Sequence, residues 1–354
     1  MNRLITFLVF LVIISCKNDH YNESINDKES IIIYHEFPKE TFISSDTSLN
    51  IKGYEKSIRK FFINDSLLII NNTPHSTELI SIYDRNSLSL IKEFSTIGRG
   101  PDQIGIASKA DYNNEDNIVS ITDYSKHKVF LFNLTKEINN VDYKIASFDL
   151  QSPSGYAIVR NGYAYYNGSQ KNNAKNILIK QDLTTGKITP LAYHYLFSQE
   201  DVVQGKDYAG LRGNYIYYDN KILYSYLLFN GFVFFNLVND NVIHAKSENQ
   251  LPRHKGNKVN PDDYYNELFG YRDPYITNNY IFISYYGVPL FNKNNKNKKN
   301  YPKEIHVFDH DCRPYLKITL DRNFDDFVID EKNDNILLTD PSIPSTIFVY
   351  KLKL

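Results

Sequence analysis

The chain has 354 residues, with 40 Lys and Arg against 41 Asp and Glu and 9 His, a formal net charge of −1. That balance leaves no net positive field to draw in nucleic acid, so no nucleic-acid partner is expected. Trp is absent, Met occurs once and Tyr reaches 29, a composition suited to strands with one buried and one wet side.

The chain opens with Met-Asn-Arg, an apolar run over residues 4–14, then Ser15 and Cys16. A positive start, a short apolar stretch and a small residue make the layout of a secretory signal peptide. The run is about half of the roughly 20 residues that a helix needs to cross a bilayer. Ile13-Ile14-Ser15-Cys16 resembles a bacterial lipobox, which implies lipidation of Cys16 and attachment to a membrane through that lipid. Residues 1–16 are thus expected to be a lipoprotein signal peptide, 17–30 a flexible polar tether and 31–354 the folded domain. With Cys16 lipidated, Cys312 has no disulfide partner, so the core must supply the stability.

From residue 31 onward, short β-rich runs alternate with Asn, Asp and Gly turns, and no amphipathic helix is visible. A repeat shows in strands closed by an acidic or amide residue and a turn, at Asp84, Asn133, Asp182, Asn236 and Asp309, with Lys351 in the sixth place. The steps are 49, 49, 54, 73 and 42 residues, against about 40–50 for a four-stranded propeller blade. The long step implies an insertion of roughly 25 residues beyond that period.

A further strand follows each of the first five closings, whereas the sixth module has only FDDFVID, NILLTD and TIFVYKL. Residues 31–42, IIIYHEFPKETF, precede the first module and lack a partner. Pairing them with residues 346–352 would supply the missing strand and remove an open edge. The expected fold is all-β, a six-bladed β-propeller closed by an N-terminal strand.

Residues 94–106 read FSTIGRGPDQIGI, where Gly98 and Gly100 permit positive φ or a close backbone approach and Pro101 removes a donor. This is the expected crossing from one blade to the next. The lipobox, this turn and the repeats together resemble the TolB-like six-bladed β-propeller lipoproteins of Bacteroidetes, with NHL-like repeats. Asp102-Gln103 stands where that family usually has a small residue and Glu. The resemblance implies mainly the fold.

Arg99, between the two glycines, either points into the central channel to grip a carboxylate or phosphate or holds loop carbonyls. Asp123 and Asp340 occupy turn positions where a carboxylate accepts backbone N–H groups. Asp325-Asp326 and the run at residues 330–334 lack calcium-loop spacing and read as solvated turns. The basic stretch 293–300 reads as a floppy hairpin loop. The histidines are scattered, and no metal site, cofactor motif or catalytic motif is apparent.

Residues 251–275 form the candidate binding insertion, with Tyr264, Tyr265, Phe269, Tyr271, Arg272 and Tyr275. Aromatic rings beside an Arg are common in interface hot spots, though the same rings could simply pack the insertion onto the rim. The function expected is an envelope-anchored, non-enzymatic binding or scaffold propeller for a peptide, glycan or protein partner, placed at the outer membrane. The alternative is a calcium-dependent hydrolase of the lactonase or esterase kind, for which the sequence shows no acid triad.

Overall fold

The structure is a computed structural model. It describes residues 21–354 except 27, 53, 55, 57, 74–76, 101–102, 152–155, 168–177, 192–212, 249–267 and 293–294. Cys16 and the signal segment therefore lie outside the described residues, as do Pro101, Tyr264 and Tyr265.

Four N-terminal strands come first: β1 (Tyr21–Asn26), β2 (Glu29–Tyr34), β3 (Glu40–Ile43) and β4 (Thr47–Asn50). Blade 1 follows as β5 (Ile58–Ile63), β6 (Leu67–Asn72), β7 (Glu78–Asp84) and β8 (Leu90–Thr96). Blade 2 is β9 (Ala107–Asn113), β10 (Ile118–Asp123), β11 (Lys128–Asn133) and β12 (Ala146–Asp149), with the one-turn helix α1 (Leu134–Ile138) after β11. Blade 3 is β13 (Ile158–Arg160), β14 (Tyr163–Tyr166), β15 (Ile179–Asp182) and β16 (Ile188–Pro190). Blade 4 is β17 (Gly213–Tyr218), β18 (Lys221–Tyr226), β19 (Gly231–Asn236) and β20 (Asn241–Ser247).

Blade 5 starts with β21 (Tyr271–Ile276) and β22 (Tyr280–Tyr285). A small hairpin, β23 (Phe291–Asn292) and β24 (Asn295–Lys299), leads to β25 (Glu304–Asp309) and β26 (Pro314–Leu320). The last three strands are β27 (Asp326–Asp330), β28 (Asn335–Thr339) and β29 (Thr346–Lys351). The chain is a six-bladed β-propeller.

Each strand closing read from the sequence is the last residue of the third strand of its blade, from Asp84 on β7 to Lys351 on β29. The reason is local. Asp84 accepts from the backbone N–H groups of Asn86 and Ser87, and Asp182 does the same for Thr184 and Thr185. A short carboxylate at that place reverses the chain without a regular hydrogen-bond ladder. The middle strands are nearly all buried because a neighbouring blade covers each face, which explains runs such as LLIIN on β6 and FVFF on β19. The apolar clusters lie between blades, for example Ile69, Ile80, Ile82 and Phe94 of blade 1 against Val119, Ile121 and Phe130 of blade 2.

The N-terminal segment departs from the expectation in two ways. First, closure falls to β4, which pairs antiparallel with β29, Thr346 opposite Asn50 and Val349 opposite Thr47. Residues 31–42 do not reach β29. Instead β2 runs parallel to β20 of blade 4, and β3 runs parallel to β26 of blade 5. The chain thus covers the outer edges of blades 4, 5 and 6 in succession. An apolar run such as Ile31-Ile32-Ile33 suits blade 4, where Ile32 and Tyr34 are buried in the cluster of Phe232, Phe234 and Phe308. Second, residues 21–26 lie in the stretch read as a tether, yet they form β1 and pair antiparallel with β2, Tyr21 opposite Ile33. The free edge of β2 offers that strand a hydrogen-bonding partner.

The blade crossing at Gly98–Gly100 is a close approach. The Gln103 side chain sits where a Cβ on Gly98 would be, and its Oε1 accepts from the Gly100 N–H at 2.9 Å. Lys126 Nζ donates to the carbonyls of Gly100 and Gln103, and Asp123 accepts from the N–H groups of Gly105 and Ile106. The turn is therefore held from the β10–β11 hairpin, within which Asp123 also accepts from the N–H groups of Ser125 and Lys126 as expected.

Candidate functional site

The first strand of each blade borders the central channel, and these strands carry a buried charge cluster. Lys109 Nζ on β9 donates to Asp273 Oδ1 on β21 at 2.8 Å. Blades 2 and 5 are opposite in the ring, so this ion pair spans the channel. Asp273 also accepts from Arg272 Nε at 3.2 Å and from Asn214 Nδ2 of β17 at 3.3 Å. Burial alone would raise its pKa, but Lys109 and Arg272 hold it well below the usual carboxylate range. Asp111 of β9 accepts from Arg160 of β13 at 2.7 Å, joining blades 2 and 3.

On the other side, Asp326 opens β27 and is 3% exposed; its Oδ2 accepts from the Phe61 N–H at 3.0 Å. Burial, with the charge of Asp273 nearby, raises its pKa to about 7. Asp325 receives Lys299 Nζ at 2.9 Å from the β23–β24 hairpin. The sequence reading of Asp325-Asp326 as a solvated turn is thus corrected, because the pair starts an inner strand that the ring encloses. Asp330 is likewise buried and pairs with Arg85. The stretch 293–300, read as a floppy loop, contributes β24 and the Lys299 contact.

The candidate binding insertion is also reassigned in part. Tyr271 is 1% exposed, and its hydroxyl lies 2.7 Å from Tyr34 Oη and 2.9 Å from His306 Nδ1. It therefore belongs to the core between blades 4 and 5. Arg272 donates to Tyr286 Oη at 2.7 Å and lies 3.7 Å from Asp325. Burial opposes its charge, yet Asp273, Tyr286 and Asp325 raise its pKa. Tyr275 is half-buried and packs 6.3 Å from the Phe327 ring. These three residues lie on β21, where side chains serve the sheet, and residues 251–267 of the insertion lie outside the described residues. Phe269 is buried beside Tyr286. Tyr271→Phe should cost about 1–2 kcal/mol in urea unfolding, by removing a buried hydroxyl that two partners share.

Arg99 is exposed, and the contacts that hold its turn come from Gln103, Asp123 and Lys126 instead. Among the described residues Arg99 makes no hydrogen bond to a loop carbonyl. Ile97 and Ile106 on the same crossing are 36% and 59% exposed.

Comparison with known proteins fits this geometry. A family model described as TolB-like 6-blade propeller-like matches residues 34–332. The chain belongs to the TolB-like six-bladed propeller family. Solved structures share the fold. A member of the duf4221 family from Bacteroides vulgatus superposes with a TM-score of 0.60 at 13% identity, over 88% of this chain and 97% of that one. A Bacteroides fragilis protein described as exported gives a TM-score of 0.59 at 13% identity, over 89% of this chain and all of that one. No curated protein matches the sequence.

Within this TolB-like propeller the channel charges were legible in principle. Lys60, Lys109, Arg160, Asn214, Asp273 and Asp326 recur at steps of 49, 51, 54, 59 and 53 residues, close to the repeat itself. Polar residues at one phase of an apolar repeat mark a shared position. Among the described residues no three His, Cys, Asp or Glu side chains converge as a metal-binding group. Asp111 and Asp273 are each engaged by a basic partner.

Proposed function

We propose that the protein is a non-enzymatic binding propeller of the cell envelope, anchored through a lipid on Cys16 at the outer membrane. Its partner is a peptide, glycan or protein. The observation that carries this reading is the channel. Its acids and bases pair between blades at Lys109–Asp273 and Arg160–Asp111, which spends these groups on holding the wall of the ring together rather than on chemistry. The family fold and the exported description of the Bacteroides fragilis relative support the address.

We place the partner surface on the face that carries the blade crossings, where Arg99, Ile97 and Ile106 of one crossing are all exposed. An exposed Arg on the same crossing as exposed apolar side chains can supply a directed polar contact beside a surface that excludes water. Capture of a partner from envelope fractions should fall about tenfold in affinity for the Arg99→Ala/Ile106→Ser variant, equivalent to ~1.4 kcal/mol. Undiminished capture would move the partner elsewhere. Calcium-dependent turnover of lactone or aryl-ester substrates by the purified protein would overturn the non-enzymatic reading.

A further inference from the structure

The channel cluster contains a cation that stands outside the ion pairs of the described residues. Lys60, on β5 of blade 1, makes no ion pair or hydrogen bond among the described residues. Its ammonium lies over aromatic rings instead, 5.1 Å from the centre of Phe62 and 5.5 Å from that of Tyr156. Tyr156 precedes blade 3, so Lys60 of blade 1 reaches past blade 2. The side chain keeps part of its surface accessible while sitting deep among protein atoms. Burial lowers its pKa, and the charges it feels are Asp326 of β27, Lys109 and Asp111 of β9, and Asp273 of β21. Two of those three acids are already engaged, Asp111 by Arg160 and Asp273 by Lys109 and Arg272. Asp326 takes a backbone N–H but no basic side chain.

We propose that this channel is a binding site for a monocarboxylate group, with the Lys60 ammonium as its counter-ion and the Asp326 side chain beside it. The proposal deepens the reading of the protein as a binding propeller. A desolvated ammonium without a counter-ion is costly, and a carboxylate brought to it restores both charge and hydrogen bonds. The chemistry favours one negative charge over two. Among the described residues only Lys60 of the channel cations is outside an ion pair, so the second charge of a phosphate dianion would find no partner. The rings of Phe62 and Tyr156 next to the ammonium provide apolar contact for the carbon attached to the carboxylate.

Asp326 gives the site a pH dependence with a definite sign. The groups that face it are Asp273 from β21, Lys109 from β9, Lys60 from β5 and the Phe61 N–H. Protonated, Asp326 can donate a hydrogen bond to a carboxylate oxygen. Ionised, it competes for Lys60 and repels the ligand. Affinity should therefore be greatest below about 7 and decline as pH rises through that value.

The test uses the purified full chain, with acetate as the probe and titration calorimetry as the readout. Wild-type protein should bind acetate saturably, more tightly below neutrality than above it, and inorganic phosphate should not compete. Lys60→Gln should weaken acetate binding at least ~10-fold, while Lys60→Arg retains it. Removing an unpaired buried cation should leave the melting temperature of Lys60→Gln unchanged or higher, which shows that the variant is folded. A blocked peptide that binds more tightly than acetate, and loses binding as its amide, assigns the group to a chain terminus; equal affinities assign it to a free acid. Acetate binding that is the same in Lys60→Gln and wild type, or that phosphate abolishes, overturns the proposal. Because the partner contact is placed at Arg99 and Ile106, failed capture from envelope fractions with intact acetate binding would overturn the partner reading alone.

Discussion

Asp273→Ala is expected to cost about 3–5 kcal/mol of unfolding free energy, the range for breaking a buried ion pair from one side. The carboxylate receives Lys109 from the opposite blade at 2.8 Å, Arg272 at 3.2 Å and Asn214 at 3.3 Å. Its removal leaves two cations enclosed in the ring with fewer acids near them. Arg272 retains Asp325 at 3.7 Å, so Lys109 loses most. Adding Lys109→Met to Asp273→Ala should recover part of the loss, because the uncompensated charge is then gone. Acid titration supplies a second readout. The folded pKa of Asp273 is depressed, so its stabilisation is present above the ordinary carboxylate value of 3.8 and is lost as pH falls through the lower folded value. The Asp273→Ala protein should therefore lose less stability between neutral and acid pH than the wild type does. Equal acid sensitivity in the two proteins would show that the pair is not what protons disrupt.

Asp273 also marks the boundary of what the sequence discloses. The turn carboxylates were visible because their partners are two or three residues away, as with Asp84 and Ser87 or Asp123 and Ser125. The partner of Asp273 is 164 residues away on the opposite blade. Only the ring brings the two together. Tyr271 and Arg272 were drawn into a binding insertion because aromatic residues crowd the stretch before them, and nothing local announces that a strand begins at Tyr271. Arg99 attracted notice because it is a charge between glycines, whereas the turn is held by the side chain of Gln103 and by Lys126 and Asp123 from elsewhere. Number of blades and strand ends were legible from periodicity; the identity of the closing strand was not. Residues 31–33 make the stronger β signal, yet closure belongs to Thr47–Asn50, a short polar strand that pays for its place through backbone pairing and the residues just after it.

That assignment makes a graded truncation series informative. Removing residues 1–28 should change stability little, since β2, β3 and β4 keep their blade partners. Removing residues 1–45 strips the outer strands from blades 4 and 5. Ile32 at 5% and Tyr34 at 2% exposure leave their cluster, and Tyr34 takes with it the hydroxyl contact to Tyr271. Two buried side chains at roughly 1.5–3 kcal/mol each give an expected loss of about 3–6 kcal/mol. Removing residues 1–50 should be worse again, because blade 6 then has three strands and β29 presents an open edge. Ile51, fully buried in the cluster with Ile58, Val328 and Ile347, would lose the strand that positions it. The last step removes only five more residues, of which none is fully buried, so a large drop must come from closing the ring rather than from area. Circular dichroism and urea midpoints measured on the three truncations would decide the matter. If the proteins starting at residues 46 and 51 unfold at the same urea concentration, β4 is not the strand that shuts the propeller.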